Sequence, residues 1–129
     1  MTRFILIDVE ADMRGNGTPH STRMLSFGCV DLQSGAEFEG ILWPGEPWPE
    51  KPVLSHIPEG AEPFDRRKVF EKFEEWLGNW PGERIVGVSD NNGYDMMFFN
   101  VTWDQVMNSR SPFGHSSRRI ADLWAGTQL

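Results

Sequence analysis

Phe4-Ile5-Leu6-Ile7-Asp8-Val9-Glu10 is a short apolar run that ends in two carboxylates bracketing one residue. In an extended strand, side chains two apart point to the same face, so Asp8 and Glu10 project together beside the edge of a buried core. An acid pair at a buried edge is costly without a compensating cation. The pair therefore outlines a divalent-cation site at the end of the first strand.

Residues 11–19 are rich in turn formers and read as a loop close to the carboxylates. Met24–Leu32 and Glu37–Trp43 read as two strands around Gln33-Ser34-Gly35-Ala36, and so short a connection makes them a hairpin. The Pro-rich segment 44–63 has little periodicity and reads as an irregular excursion, with Trp48 as a packing residue. An amphipathic helix follows, with Val69, Phe70, Phe73, Trp76 and Leu77 on one stripe. Asp65 is its natural N-cap, Phe64 and Val69 form a hydrophobic staple, and Gly78 ends it.

Arg84–Ser89 is a short apolar run after a Pro81-Gly82 turn, read as a buried strand parallel to the first. Asp95 to Asn108 reads as a second helix, Ser111-Pro112-Phe113-Gly114 breaks it, and Ser116 to Ala125 reads as another short helix. The order is three antiparallel strands, a crossing helix, a parallel strand and flanking helices. That is an α/β arrangement with a mixed sheet, the opening of a ribonuclease H-like fold.

One domain accommodates all 129 residues, and 39% hydrophobic residues, with nine Phe and six Trp, suffice for a core. Nineteen acidic residues against twelve basic ones give a net charge of -7, which argues against a broad cationic surface gripping polyanions. Contact with nucleic acid must be local or mediated by metal. The single Cys29 lies in an apolar run and reads as a core residue in a reducing compartment. Met1-Thr2-Arg3 leads into a run too short for a signal sequence, and no stretch approaches the roughly 20 apolar residues of a membrane span. A cytoplasmic protein without membrane contact is the expectation.

The segment Val86 to Phe99 places Asp95 after a strand, where the next helix opens. Ligands just beyond the carboxyl ends of adjacent parallel strands converge on one crevice, so Asp95 completes a metal site with Asp8 and Glu10. Oxygen donors of this kind suit the hard ions Mg²⁺ and Mn²⁺. Such a set points to a metal-dependent phosphodiesterase. Asp90 is an adjacent candidate, while Asn91 either orients the turn or contacts substrate. Arg110, Arg118 and Arg119 form a basic cluster, able to bind phosphate or to pair with surface acids.

Three stretches together resemble the DEDD superfamily of 3′ to 5′ exonucleases. Asp8-Val9-Glu10 is similar to its first motif, and Leu25-Ser26-Phe27-Gly28-Cys29-Val30 matches the second-strand pattern that follows it. Asn91 to Asp95, continuing to Phe98-Phe99, is similar to the second motif, an Asn followed by an aromatic-Asp pair opening a helix. Phe113 to Leu123 resembles a segment of small bacterial and phage relatives of the DEDDh exoribonucleases.

The resemblance implies a 3′ to 5′ exonuclease acting on the 3′ end of RNA or single-stranded DNA. Asp8, Glu10 and Asp95 are its catalytic and metal-binding residues, and Asn91 and Arg118 are substrate-binding. It implies two Mg²⁺ or Mn²⁺ ions and a third motif, a His with an Asp five residues later. This chain lacks that pair. His115 and Asp122 are the downstream candidates, but seven residues of helix separate them by about 10 Å. The expectations are accordingly a C-terminally shortened member with weak activity or, as the alternative, a non-catalytic module that binds a nucleic-acid end or a protein. Apolar surface left by a missing helix would favour a homodimer.

Overall fold

Ile5, Ile7, Val9 and Ala11 are buried while Asp8 is exposed, the period-two pattern of a strand with one face on a core. The computed structural model describes residues 1–11, 24–42, 65–114 and 117–121. In it, this strand, β1 (Thr2–Ala11), is the centre of a five-stranded sheet. The other elements are β2 (Met24–Asp31), β3 (Glu37–Ile41), α1 (Arg66–Leu77), β4 (Arg84–Ser89), α2 (Asn92–Met107) and β5 (Ser117–Arg119). The strands lie in the order β3-β2-β1-β4-β5, with β1, β2 and β3 antiparallel in turn and β4 and β5 parallel to β1. The mixed α/β sheet expected from the sequence is present, enlarged by one strand.

That strand corrects the reading of Ser116 to Ala125 as helix. Ser117, Arg118 and Arg119 pair with Gly87, Val88 and Ser89, and helical backbone follows from Ile120. A polar tripeptide has little strand propensity of its own, so the open edge of β4 decides its conformation. The second helix also starts earlier than its periodicity suggests, at Asn92 rather than Asp95.

The β2–β3 connection is the expected hairpin. Asp31 N–H donates to Ala36 O at 2.8 Å, Gly35 takes the turn at φ +79°, and Asp31 Oδ2 accepts from Ser34 N–H at 2.9 Å. Arg3 ties this turn to the foot of β4, donating to Asp31 Oδ2 at 2.7 Å and to Glu83 Oε2 at 2.5 Å while its guanidinium lies 4.7 Å from the Trp80 ring. For α1, Asp65 Oδ1 accepts from Arg67 and Lys68 N–H, and Gly78 N–H closes the last turn on Glu74 O. The proposed staple residue Phe64, with Trp48, Trp43 and the Pro-rich segment, lies outside the described residues.

Among the described elements both helices pack on one sheet face. Phe27 of β2 touches Phe70 and Phe73 of α1 and Phe99 of α2, and Phe99 in turn stacks on Trp103. Close approach needs absent side chains at two points. A Cβ on Gly40 would lie 2.5 Å from the Phe27 ring, and one on Gly87 would lie 2.7 Å from Met96 Sδ and 3.1 Å from Phe113. Gly87 thus lets α2 settle onto β4, which fixes where the first turn of α2 meets β1.

Candidate active site

The strand β4 stops short of β1. Their parallel pairing ends at Leu6 opposite Val88, whereas β1 continues to Ala11. Backbone groups of a strand alternate between its two neighbours, and Phe4 O accepts from Leu32 N–H on the β2 side. Even-numbered residues of β1 therefore turn their amides to β2, and odd-numbered ones turn theirs to β4, as Met1 O does in accepting from Arg84 N–H. Val9 is the odd-numbered residue left beyond the end of β4. Its N–H donates instead to Asp95 Oδ1 at 3.1 Å, so a side chain from α2 supplies a missing rung of the sheet ladder.

Asp95 is buried at 4% exposure, and its carboxylate also accepts from the backbone N–H of Asn91, the N-cap of α2. Burial pushes its carboxyl above the usual range, Asp8 and Asp90 push the same way, and the two N–H donors partly offset them. Glu10, half-buried, is raised by burial first and then by Asp8 and Asp95. The Tyr94 phenol is raised by burial and by Glu10, Asp95 and Asp8, so it stands within electrostatic reach of all three acids. One patch of negative charge gathers at the end of β1.

Asp8 and Glu10 leave β1 on the face opposite Ile7 and Val9, with Asp8 exposed, while Asp95 enters from α2 with one oxygen held by Val9. Among the described residues no three His, Cys, Asp or Glu side chains stand together closely enough to enclose an ion. The acids fit a hard divalent cation in chemistry, as oxygen donors with no soft ligand among them, and in charge, because a cation would offset the repulsion that raises Glu10 and Asp95.

Asn91 is exposed at the helix opening, where its carbonyl accepts from Tyr94 and Asp95 N–H. Arg118 is exposed on β5. His115 and Asp122 lie outside the described residues. Three participants were given no role of their own by the sequence. The Val9 amide is backbone and has no residue-type signature; Tyr94 was visible as the aromatic before Asp95; Asn92, whose Nδ2 donates to Ser117 Oγ at 3.0 Å, looked like part of a turn.

Compared with solved structures, the chain is similar to cell-death related nuclease 4 (CRN-4), with a TM-score of 0.50 and 18% identity over 81% of this chain and 40% of that one. The likeness is one of fold: a ribonuclease H-like α/β arrangement with a mixed sheet and flanking helices. The chain spans 40% of the length of that nuclease. By sequence it matches no protein-family profile and no curated protein. Among the described residues no helix is long and apolar enough to cross a membrane.

Proposed function

We propose that this chain is a metal-dependent 3′ to 5′ exonuclease of the DEDDh type, hydrolysing phosphodiester bonds at the 3′ end of RNA or single-stranded DNA. The observation that carries the reading is the gathering of Asp8, Glu10 and Asp95 where β1 outruns β4, with Asp8 raising both of the other carboxyls, on a nuclease-like fold. An acid cluster at this point is costly in an empty protein and useful in one that binds cations.

Asp8, Glu10 and Asp95 would hold Mg²⁺ or Mn²⁺. Bound there, such an ion would lower the pKa of a water nucleophile and offset charge developing on the leaving oxygen of a phosphodiester. Asp95 fixes the strand that carries the other two acids, through Val9. Asn91, exposed beside the helix opening, and Arg118, on β5, contact the substrate, Arg118 through a phosphate. The general base of the DEDDh type is a His, and loss of a general base typically lowers a rate by on the order of 10²- to 10⁴-fold. The setting is cytoplasmic, and a homodimer is the assembly that would cover apolar surface.

A second reading has its own observation. Because no three acids enclose an ion among the described residues, a non-catalytic module that binds a nucleic-acid end or a protein is the alternative. Incubating a 5′-labelled single-stranded RNA with Mn²⁺ separates the two. A ladder shortening from the 3′ end, lost in Asp8→Ala and with a chelator, is the expected result; intact RNA beside retained binding would establish the module.

A further inference from the structure

The first turn of α2 holds two strands at once. Asp95 takes the Val9 amide of β1, and Asn92 Nδ2 donates to Ser117 Oγ of β5 at 3.0 Å. Between those strands lies β4, so one helical turn spans β1, β4 and β5 and fixes their spacing at this end of the sheet. The bond to Ser117 acts on a strand of three residues with weak propensity of its own, in which one side-chain tether counts for more than in a long strand.

Register then fixes where Arg118 stands. Ser117 is opposite Gly87, whose missing Cβ would point at Met96 and Phe113, so both lie on the helix-bearing face. Arg118 is opposite Val88, which is opposite Leu6, and all three share the other face. Asp8 and Glu10 follow Leu6 at intervals of two and share that face also. Arg118 is therefore two strand spacings from β1, about 10 Å across the sheet, and one pleat repeat behind Asp8, about 7 Å along it. That offset is too long for an ion pair with Asp8 and suits a neighbouring phosphate of a chain whose reactive end lies at the acids.

Resting on the exonuclease reading above, we propose that Asn92 is a positioning residue for substrate. Through Ser117 it places Arg118 to hold a phosphate upstream of the bond to be cleaved, so that the nucleic-acid strand crosses the sheet from β1 toward β5. Asn92 itself touches no substrate. Its effect passes through Arg118 and vanishes when Arg118 is gone.

A double-variant cycle tests this by binding, independently of catalysis. Fluorescence anisotropy of a labelled single-stranded dodecanucleotide is measured in chelator with wild type, Asn92→Ala, Arg118→Ala and the pair, across a salt series. Arg118→Ala is expected to weaken binding about tenfold at low salt and to flatten the salt slope by about 0.7. Asn92→Ala should give a smaller loss of the same kind, with no added loss in the pair, and Ser117→Ala should reproduce it from the other side of the bond. Circular dichroism confirms that each variant is folded. Additive losses, or a Ser117→Ala variant that binds as wild type, overturn the proposal even if 3′ degradation is observed. Coupled losses without degradation keep it while removing the exonuclease reading, and wild type that binds no oligonucleotide in chelator overturns the placement of Arg118 while leaving the exonuclease reading to the degradation assay.

Discussion

Val9 N–H donates to Asp95 Oδ1 at 3.1 Å, in the position where the next strand of a longer β4 would have accepted it. The same carboxylate is among the three acids proposed to bind cations, so the group that secures the carboxylate strand is also part of its chemistry. Structure and function therefore respond differently to substitutions of different kinds at this residue.

Asp95→Ala removes the acceptor and leaves a buried amide unpaired, which costs about 1–3 kcal/mol. Asp95→Asn keeps an oxygen for Val9 and removes a charge that burial and Asp8 disfavour, although its amide NH2 cannot accept from Asn91, so it should lose less stability than Asp95→Ala in metal-free buffer at neutral pH. Both should lose nuclease activity. Urea titrations check the order; an Asn variant as unstable as the Ala variant would show that the Val9 bond contributes little.

The pH dependence of stability has opposing parts. Asp95 and Glu10 have folded-state values above the usual carboxylate range, so the folded state binds protons more tightly than the unfolded chain. Their contribution is most favourable below about pH 4 and is lost as pH rises through the folded values. Asp31 behaves oppositely. Burial raises it, but hydrogen bonds from Ser34 and the charge of Arg3 outweigh burial and hold it low, so its contribution is present at neutral pH and lost as pH falls. Midpoints of urea unfolding without metal should show that Glu10→Gln and Asp95→Asn gain on wild type as pH rises from about 4 to 7, while Asp31→Asn loses on it as pH rises through the range below about 4 and runs parallel above it. Parallel profiles for all four proteins would contradict the assignment.

Much of this fold can be read in the chain because its elements carry their own periodicity. Val69, Phe70, Phe73 and Leu77 mark α1, and Ile5, Ile7 and Val9 mark β1, since each element buries one regular face. By contrast, Ser117-Arg118-Arg119 has no apolar residue, and only pairing with β4 makes it a strand. Asn92-Gly93 resembles a turn, and it is helical because Gly87 admits Met96 and Asn92 finds Ser117 twenty-five residues away. At the site, the pairing of Asp8 with Glu10 follows from strand geometry alone. What Asp95 does besides following a strand depends on where β4 ends, and that is a property of the sheet.

Gly87 should tolerate little. A Cβ there meets the flexible end of Met96 at 2.7 Å and the Phe113 ring at 3.1 Å, so Gly87→Ala should destabilise by about 1–3 kcal/mol as α2 is pushed from β4. Combining it with Met96→Ala, which vacates the nearer contact, should cost less than the sum of the single losses. Thermal unfolding of the four proteins checks this, and additive losses would place the strain elsewhere.

Divalent cations should stabilise the folded chain in proportion to the repulsion they offset. At a hundredfold excess over its dissociation constant, a bound ion contributes about 2.7 kcal/mol, which for a domain of this size raises Tm by on the order of 10 °C. Protons compete for the same oxygens, and the raised values of Glu10 and Asp95 extend that competition upward in pH. The Mn²⁺-induced shift should therefore grow as pH rises from about 5 to 7. It should fall sharply in Asp8→Ala, whose charge is one of those that raise both neighbours. Differential scanning fluorimetry with Mn²⁺, Mg²⁺ and chelator measures it. A shift that persists unchanged in Asp8→Ala would place the bound ion away from the end of β1, and the acids there would then owe their proximity to the fold alone.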